Sequence, residues 1–200
     1  SARWAGNGIV GAAYGGGAYL ADPDGKIATV AELQEEALVI VRKVNDRIYY
    51  NTNADETLQV LDLATGTKES LNLTQVRNVI PSPNGDQLLV LQSVGDKLAL
   101  VLCDMNGRNR KTIAEGAELG GASWSPDQRM IAYSLQADVN GTAAHGIYLY
   151  DLLSDEATRI AVGIGTADTR WSPSGEALAY TEWNGTRFDS HVVHVAYTVE

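Results

Sequence analysis

Apolar positions along the chain come in short runs rather than long amphipathic stretches. "LQVLDL" (58–63), "LALVLC" (98–103), "MIAYSL" (130–135) and "IYLYD" (147–151) are each bounded by Gly, Pro, Asn or Asp clusters. Runs of this length, rich in Val, Ile, Leu and Tyr and punctuated by turn residues, predict β-strands. The nearest helical candidate is "TVAELQEEALVIV" (29–41). Its β-branched tail and the early turn "KVNDR" argue for strand there too.

The runs recur. "SWSPDQRMIAY" (123–133) returns as "RWSPSGEALAY" (170–180) and, weaker, as "IPSPNGDQLLV" (80–90). Each copy has a Ser-Pro turn and then an apolar strand. Downstream, an apolar strand closes on Asp22, Asp62, Asp104 or Asp151, spaced 40, 42 and 47 residues apart, and a turn and a further strand follow. A period of this size with several short strands per unit marks propeller blades. The expected fold is all-β: a β-propeller of about five four-stranded blades within one domain over residues 1–200, or part of a six-bladed ring. The units fall near 3–36, 37–75, 76–118, 119–163 and 164–200. In each, strand A ends at the Trp or Pro position, B follows the Ser-Pro turn, C ends at the Asp, and D follows. The first unit is expected to have almost no strand A. The fifth, with "HVVHVAYTVE" (191–200) as strand C, is expected to lack D and leave an open edge.

The motif W-S-P-[DS]-x-x-x-[IL]-A-Y, at Trp124-Ser125-Pro126-Asp127 through Tyr133 and at Trp171-Ser172-Pro173 through Tyr180, resembles the tandem propeller repeat of the TolB-like family. The third unit carries it with Pro81 at the Trp position; the second lacks the Ser-Pro turn. The resemblance implies a propeller, typically of six blades. It also implies either a periplasmic scaffold that binds cell-envelope lipoproteins or a propeller attached to a serine peptidase. It carries over no catalytic residue.

Charge narrows the partners. The chain has 25 acidic and 15 basic residues, a net charge of −10 and a mean hydropathy of −0.14. The densest basic spot is "RNRK" (108–111), so neither nucleic acid nor an anionic membrane surface is an expected partner. No apolar run is long enough for a membrane-spanning helix. The N-terminus shows no signal leader, and Ser1-Ala2 reads as a cloning scar on a domain cut from a longer protein. Cys103, alone in "LALVLC", is expected to be a buried, inert thiol.

"GNGIVG" (6–11) matches G-x-G-x-x-G, a spacing used by phosphate-binding loops, but only five residues precede it and a hairpin follows. Aligning Trp4 with Trp171 places Asn7-Gly8 over Ser174-Gly175, which makes these glycines turn residues. "NTNADET" (51–57) alternates Asn51, Asn53 and Asp55, with Asp62 twelfth, yet Glu56 stands where a calcium loop needs Gly. His191 and His194 point to opposite faces of a strand. No metal, cofactor or catalytic residue is expected.

The repeat is broken most clearly between strands B and C. Those connections are short at "GGG" (15–17) and "SVGDK" (93–97) but expand to 134–146 and 181–190. Extra length on a rigid scaffold is where binding usually resides. The candidate binding residues are therefore Asp138, Asn140, His145, Trp183, Arg187, Phe188 and Asp189. The two rings either fold back onto their own blade or serve as contact anchors. Asn140 and Asn184 also sit in N-x-T sequons. The sequence thus points to a non-enzymatic, exported (periplasmic or extracellular) scaffold that recognises a protein or a glycan through one loop face and can self-associate through its open edge. The alternative is an accessory or gating propeller of a larger enzyme, such as a serine peptidase.

Overall fold

The computed structural model describes residues 2–163 and 167–196. Its strands form antiparallel meanders, consecutive in sequence. Sheet 1 is β1 (Ala2–Ala5), β2 (Gly8–Ala12), β3 (Ala18–Ala21) and β4 (Ile27–Val30); sheet 2 is β5 (Leu38–Val44), β6 (Arg47–Thr52), β7 (Gln59–Asp62) and β8 (Lys68–Ser70). Sheet 3 comprises β9 (Val76–Pro81), β10 (Gln87–Val94), β11 (Lys97–Asp104) and β12 (Lys111–Gly116). Sheet 4 comprises β13 (Glu118–Trp124), β14 (Met130–Gln136), β17 (Gly146–Asp151) and β18 (Glu156–Val162), with the ribbon β15 (Asp138–Val139) and β16 (Thr142–Ala143) between its second and third strands. Sheet 5 has three strands, β19 (Asp168–Trp171), β20 (Ala177–Trp183) and β21 (Phe188–His194). The 29–41 stretch is strand on both sides of a single 3₁₀ turn, Ala31–Leu33.

The chain divides into two compact units: Ser1–Pro81, Gly85–Ser93 and Leu102–Arg110, and Ser82–Asn84, Val94–Val101 and Lys111–Glu200. Sheet 3 contributes to both. In the first unit, sheet 2 buries both faces. Val41, Ile48, Tyr50 and Leu61 pack with Val10, Ala18 and Leu33 of the preceding segment. Ile40, Tyr49 and Val60 pack with Val76, Val79, Leu88 and Cys103. Successive residues 48, 49 and 50 thus alternate between two cores, as the pleat requires. In the second unit, Ala132, Ile147 and Leu149 of sheet 4 meet Ala167, Leu178 and Tyr180. There β13 runs against β19 closely enough that a Cβ on Gly121 (φ 57°) would lie 1.7 Å from the Ala167 carbonyl oxygen.

The Ser-Pro repeat is a turn with a hydrogen-bonding serine. Ser125 Oγ donates to Asp127 Oδ1 (2.6 Å) and accepts the Met130 N–H (2.9 Å). Ser172 Oγ accepts the Ala177 N–H (3.1 Å), and Ser82 Oγ donates to Asn84 Oδ1 (3.1 Å). The residue three after each serine takes positive φ: Gly85 75°, Gln128 60°, Gly175 77°. Proline, directly after the serine, presets its own φ for the second position of the turn. Pro81, Trp124 and Trp171 end their strands opposite Leu88, Ile131 and Leu178, so all three occupy one register position.

Three expectations change. Sheet 1 has a regular first strand, paired Ala2↔Gly11 through Ala5↔Gly8. Its turn is two residues shorter than the three Ser-Pro turns, since Trp4 pairs with Ile9, five residues on, where Trp171 pairs with Leu178. Gly6 (φ 65°), not Gly8, is therefore the turn glycine. Strand C of the fifth unit starts at Phe188, three residues before the expected point. The ends of the fifth unit at 164–166 and 197–200 lie outside the described residues.

The aspartates that close strand C are turn organisers. Asp62 Oδ1 accepts the N–H groups of Ala64 and Thr65, Asp104 Oδ1 those of Asn106 and Arg108, and Asp151 Oδ1 that of Leu153. These bonds hold the carboxyls of Asp62 and Asp104 below the ordinary 3.8; Arg129, at 3.0 Å, leads the same shift at Asp151. A lowered carboxyl stabilises the fold fully above the unfolded value and loses that contribution as pH falls through the folded one. Denaturation midpoints should therefore hold steady from neutrality to about pH 5 and drop below it, with a shallower drop for Asp104→Asn. Ser125→Ala, which strips the Met130 N–H of its partner at a fully buried site, should cost about 1–2 kcal/mol in chemical denaturation.

Candidate functional site

Both expanded connections are β-structure rather than loop. After β14, Asp138↔Ala143 and Val139↔Thr142 pair across Asn140-Gly141 (φ 51° and 77°), a two-residue turn of the kind Asn-Gly favours. Asn140 therefore shapes the tip. His145, at the base, is partly buried, with Nε2 3.8 Å from Asp138 Oδ1. Tyr148 Oη donates to the Ala144 carbonyl (2.8 Å) and stacks on Tyr133 at 5.6 Å, which fixes the ribbon to sheet 4. Val139, at the tip, is 56% exposed.

In sheet 5 the strands run on into the expected loop, with Glu182 opposite Asp189 and Trp183 opposite Phe188. A four-residue turn, Asn184 to Arg187, closes the hairpin. Asn184 Oδ1 accepts the Thr186 and Arg187 N–H groups, and Asn184 Nδ2 donates to Asp189 Oδ2 (2.6 Å). Arg187 Nε donates to Asp189 Oδ1 at 2.9 Å. Asp189 thus braces the turn with both oxygens. Asn184, read only as a sequon residue, is the turn's organiser; the Asn-Gly pair at 184–185 was the available signal.

The indole of Trp183 and the ring of Phe188 lie 5.0 Å apart at 59° and are 55% and 70% exposed. They cover each other and leave most of their surface to solvent, so they do not fold into a core. On the opposite face of the hairpin, Tyr180 stacks on His191 at 4.9 Å, and His191 Nε2 is 3.8 Å from Glu182 Oε2. Sheets 4 and 5 touch through their first strands, and both hairpins leave from the end where the second strand turns into the third. The Val139 tip and the Trp183–Phe188 pair thus belong to corresponding ends of two packed sheets. Among the described residues, β21 has no strand on its outer side.

Other candidates resolve into structure. Asn51 is buried: its Oδ1 accepts the Ile40 N–H, and its Nδ2 donates to the Val76 carbonyl. Asp55 caps its own turn through the Thr57 N–H. Within "RNRK", Arg110 donates to the Gly107 and Leu71 carbonyls at 2.7 Å. Lys111 pairs with Asp155 beneath Tyr150. Burial pushes the Cys103 thiol up to about 11, leaving it little thiolate at neutral pH. Among the described residues, no three His, Cys, Asp or Glu side chains gather in a metal-binding group, and no helix is long and apolar enough to cross a membrane.

No family model and no curated protein sequence matches the chain. Solved structures do. It superposes on TolB from Acinetobacter baumannii with a TM-score of 0.63 at 20% identity, covering 89% of this chain and 46% of that one. With the tricorn protease the TM-score is 0.69 at 17% identity, covering 91% and 18%. With the β-propeller domain of the Trilobed protease from Pyrococcus furiosus, which has an open velcro topology, it is 0.59 at 12%, covering 81% and 56%. The chain spans less than half the length of that TolB. At these identities the likeness carries the fold alone: the chain has a TolB-like β-propeller fold.

Proposed function

We propose that this propeller is a non-enzymatic binding scaffold of an exported protein. On this reading it recognises a protein partner through the hairpin face built by residues 138–145 and 183–189. The observation that carries the reading is the Trp183–Phe188 pair, two large rings held in solvent by a braced hairpin. Exposed aromatics cost hydration free energy and are favoured anchors when a partner covers them. Arg187 extends the anchor, while Asp138, Asn140, His145 and Asp189 set the shape of the rim. Two large apolar rings beside an Arg are the kind of anchor that protein interfaces favour, which supports a protein partner over a glycan. The accessory-domain alternative draws support from the fold shared with the tricorn protease, of which the chain matches 18%. On that reading the same hairpins would face a catalytic domain carried elsewhere.

The double variant Trp183→Ala/Phe188→Ala should keep its thermal midpoint within about 2 °C of the parent, because exposed positions contribute little stability. Used as bait against a cell-envelope extract, the parent should retain a partner that the double variant loses. Equal capture by both, or a large drop in the variant's midpoint, would remove the hairpin from the binding surface.

A further inference from the structure

The first strands of the first three sheets carry two guanidiniums, Arg3 and Arg42, and the amide of Asn78. Within the first compact unit, β1 packs on β5 and β5 on β9. Arg42 of β5 is locked in one orientation. Its Nε donates to the Val79 carbonyl (2.9 Å), Nη1 to the Val41 carbonyl (2.8 Å) and Nη2 to Asn78 Oδ1 (2.9 Å). A guanidinium has five N–H groups, so one remains on each terminal nitrogen. Asn78 Oδ1 also accepts the Val79 N–H (2.9 Å), and the Asn78 amide NH₂ has no acceptor among the described residues. Arg3 of β1 makes a single long bond, 3.4 Å, to its neighbour's carbonyl.

Neither guanidinium pairs with an Asp or Glu among the described residues. That is notable in a chain with ten more acids than bases (25 − 15). Arg42 is partly desolvated and feels the charge of Arg3, and the two effects lower it to about 10. A half-buried cation beside a second cation, with no counter-charge, is an electrostatic deficit that a bound anion cancels.

We propose that Arg3, Arg42 and Asn78 form a carboxylate-binding subsite. The two remaining N–H groups of Arg42 offer one donor to each oxygen of a carboxylate, the pairing that guanidinium geometry favours. The Asn78 amide and the exposed Arg3 supply the further donors. A singly charged carboxylate is cheaper to desolvate here than a doubly charged phosphate.

The test titrates the intact chain with acetate, with inorganic phosphate and with chloride at equal ionic strength. It follows the Nε–H resonances of Arg42 and Arg3 and the side-chain amide of Asn78 by ¹⁵N–¹H NMR. Acetate should give saturable shifts at all three groups, with phosphate weaker. Arg3→Gln, at an exposed position that does not threaten folding, should weaken acetate binding at least tenfold; Arg42→Gln, checked for a native spectrum, should abolish it. Unsaturable shifts no larger than those with chloride, or unchanged affinity in Arg3→Gln, would overturn the site. Tighter binding of phosphate than of acetate would overturn its assignment to carboxylates.

Discussion

Burial of both faces of sheets 2, 3 and 4 is the constraint on which the rest of this structure depends. A four-stranded meander of three- to eight-residue strands cannot be stable alone, because each face leaves a row of Val, Ile, Leu and Tyr in water. Sheet 2 shows the solution in its most compact form. Ile48 and Tyr50 face one core while Tyr49, between them, faces the other, and all three are essentially inaccessible to solvent. Both faces apolar means that strands read as near-continuous hydrophobic runs rather than alternating ones. This is why "LALVLC" and "MIAYSL" look like buried strands in the sequence, and why the runs repeat: each blade needs the same two faces.

The fold was legible largely through its turns. Ser-Pro followed by a residue at positive φ, and an aspartate that caps the N–H groups of the next turn, are local chemistry, written in adjacent residues and readable without tertiary knowledge. Strand ends at Pro81, Trp124, Trp171, Asp62, Asp104 and Asp151 followed from them. Where the local signal thinned, the reading slipped. The first turn is two residues shorter than the Ser-Pro turns, so aligning Trp4 with Trp171 put Gly8 at the turn glycine's place when Gly6 carries the positive φ. No local signal reports a deletion of that kind; only the pairing register does.

The two hairpin extensions show what was illegible. "SLQADVNGTAAHG" and "TEWNGTRFDS" are polar, and polar composition reads as loop. Yet strands that leave the sheet body carry no buried apolar face, so their pattern lacks a hydrophobic signature, and turn chemistry is the local mark of their pairing. Asn140-Gly141 and Asn184-Gly185 supply that chemistry in both. On the proposed binding role this matters: a paired hairpin presents Trp183 and Phe188 in one arrangement, so a partner would not bear the ordering cost that a mobile loop would impose.

Polar side chains buried between sheets were the least legible feature, because they act as substitute backbone. At the bulge between Leu38 and Ile40, Asn51 Oδ1 takes the Ile40 N–H, and its amide reaches across to the Val76 carbonyl of the next sheet's first strand. Ser134 does the same beside the bulge between Gly120 and Ser123. It donates to the Gly120 carbonyl and accepts the Ala167 N–H, both at 3.1 Å. First strands in neighbouring sheets are too far from ladder geometry to bond directly, yet their N–H and C=O groups are buried and must be satisfied. A short amide or hydroxyl reaching from the adjacent strand meets that need. It also locks the spacing between sheets, which apolar packing alone leaves adjustable. Arg42 belongs to the same class, reaching from β5 to the Val79 carbonyl of β9. It differs in carrying a charge that no Asp or Glu among the described residues pairs with, which sets it apart from the neutral bridges of Asn51 and Ser134.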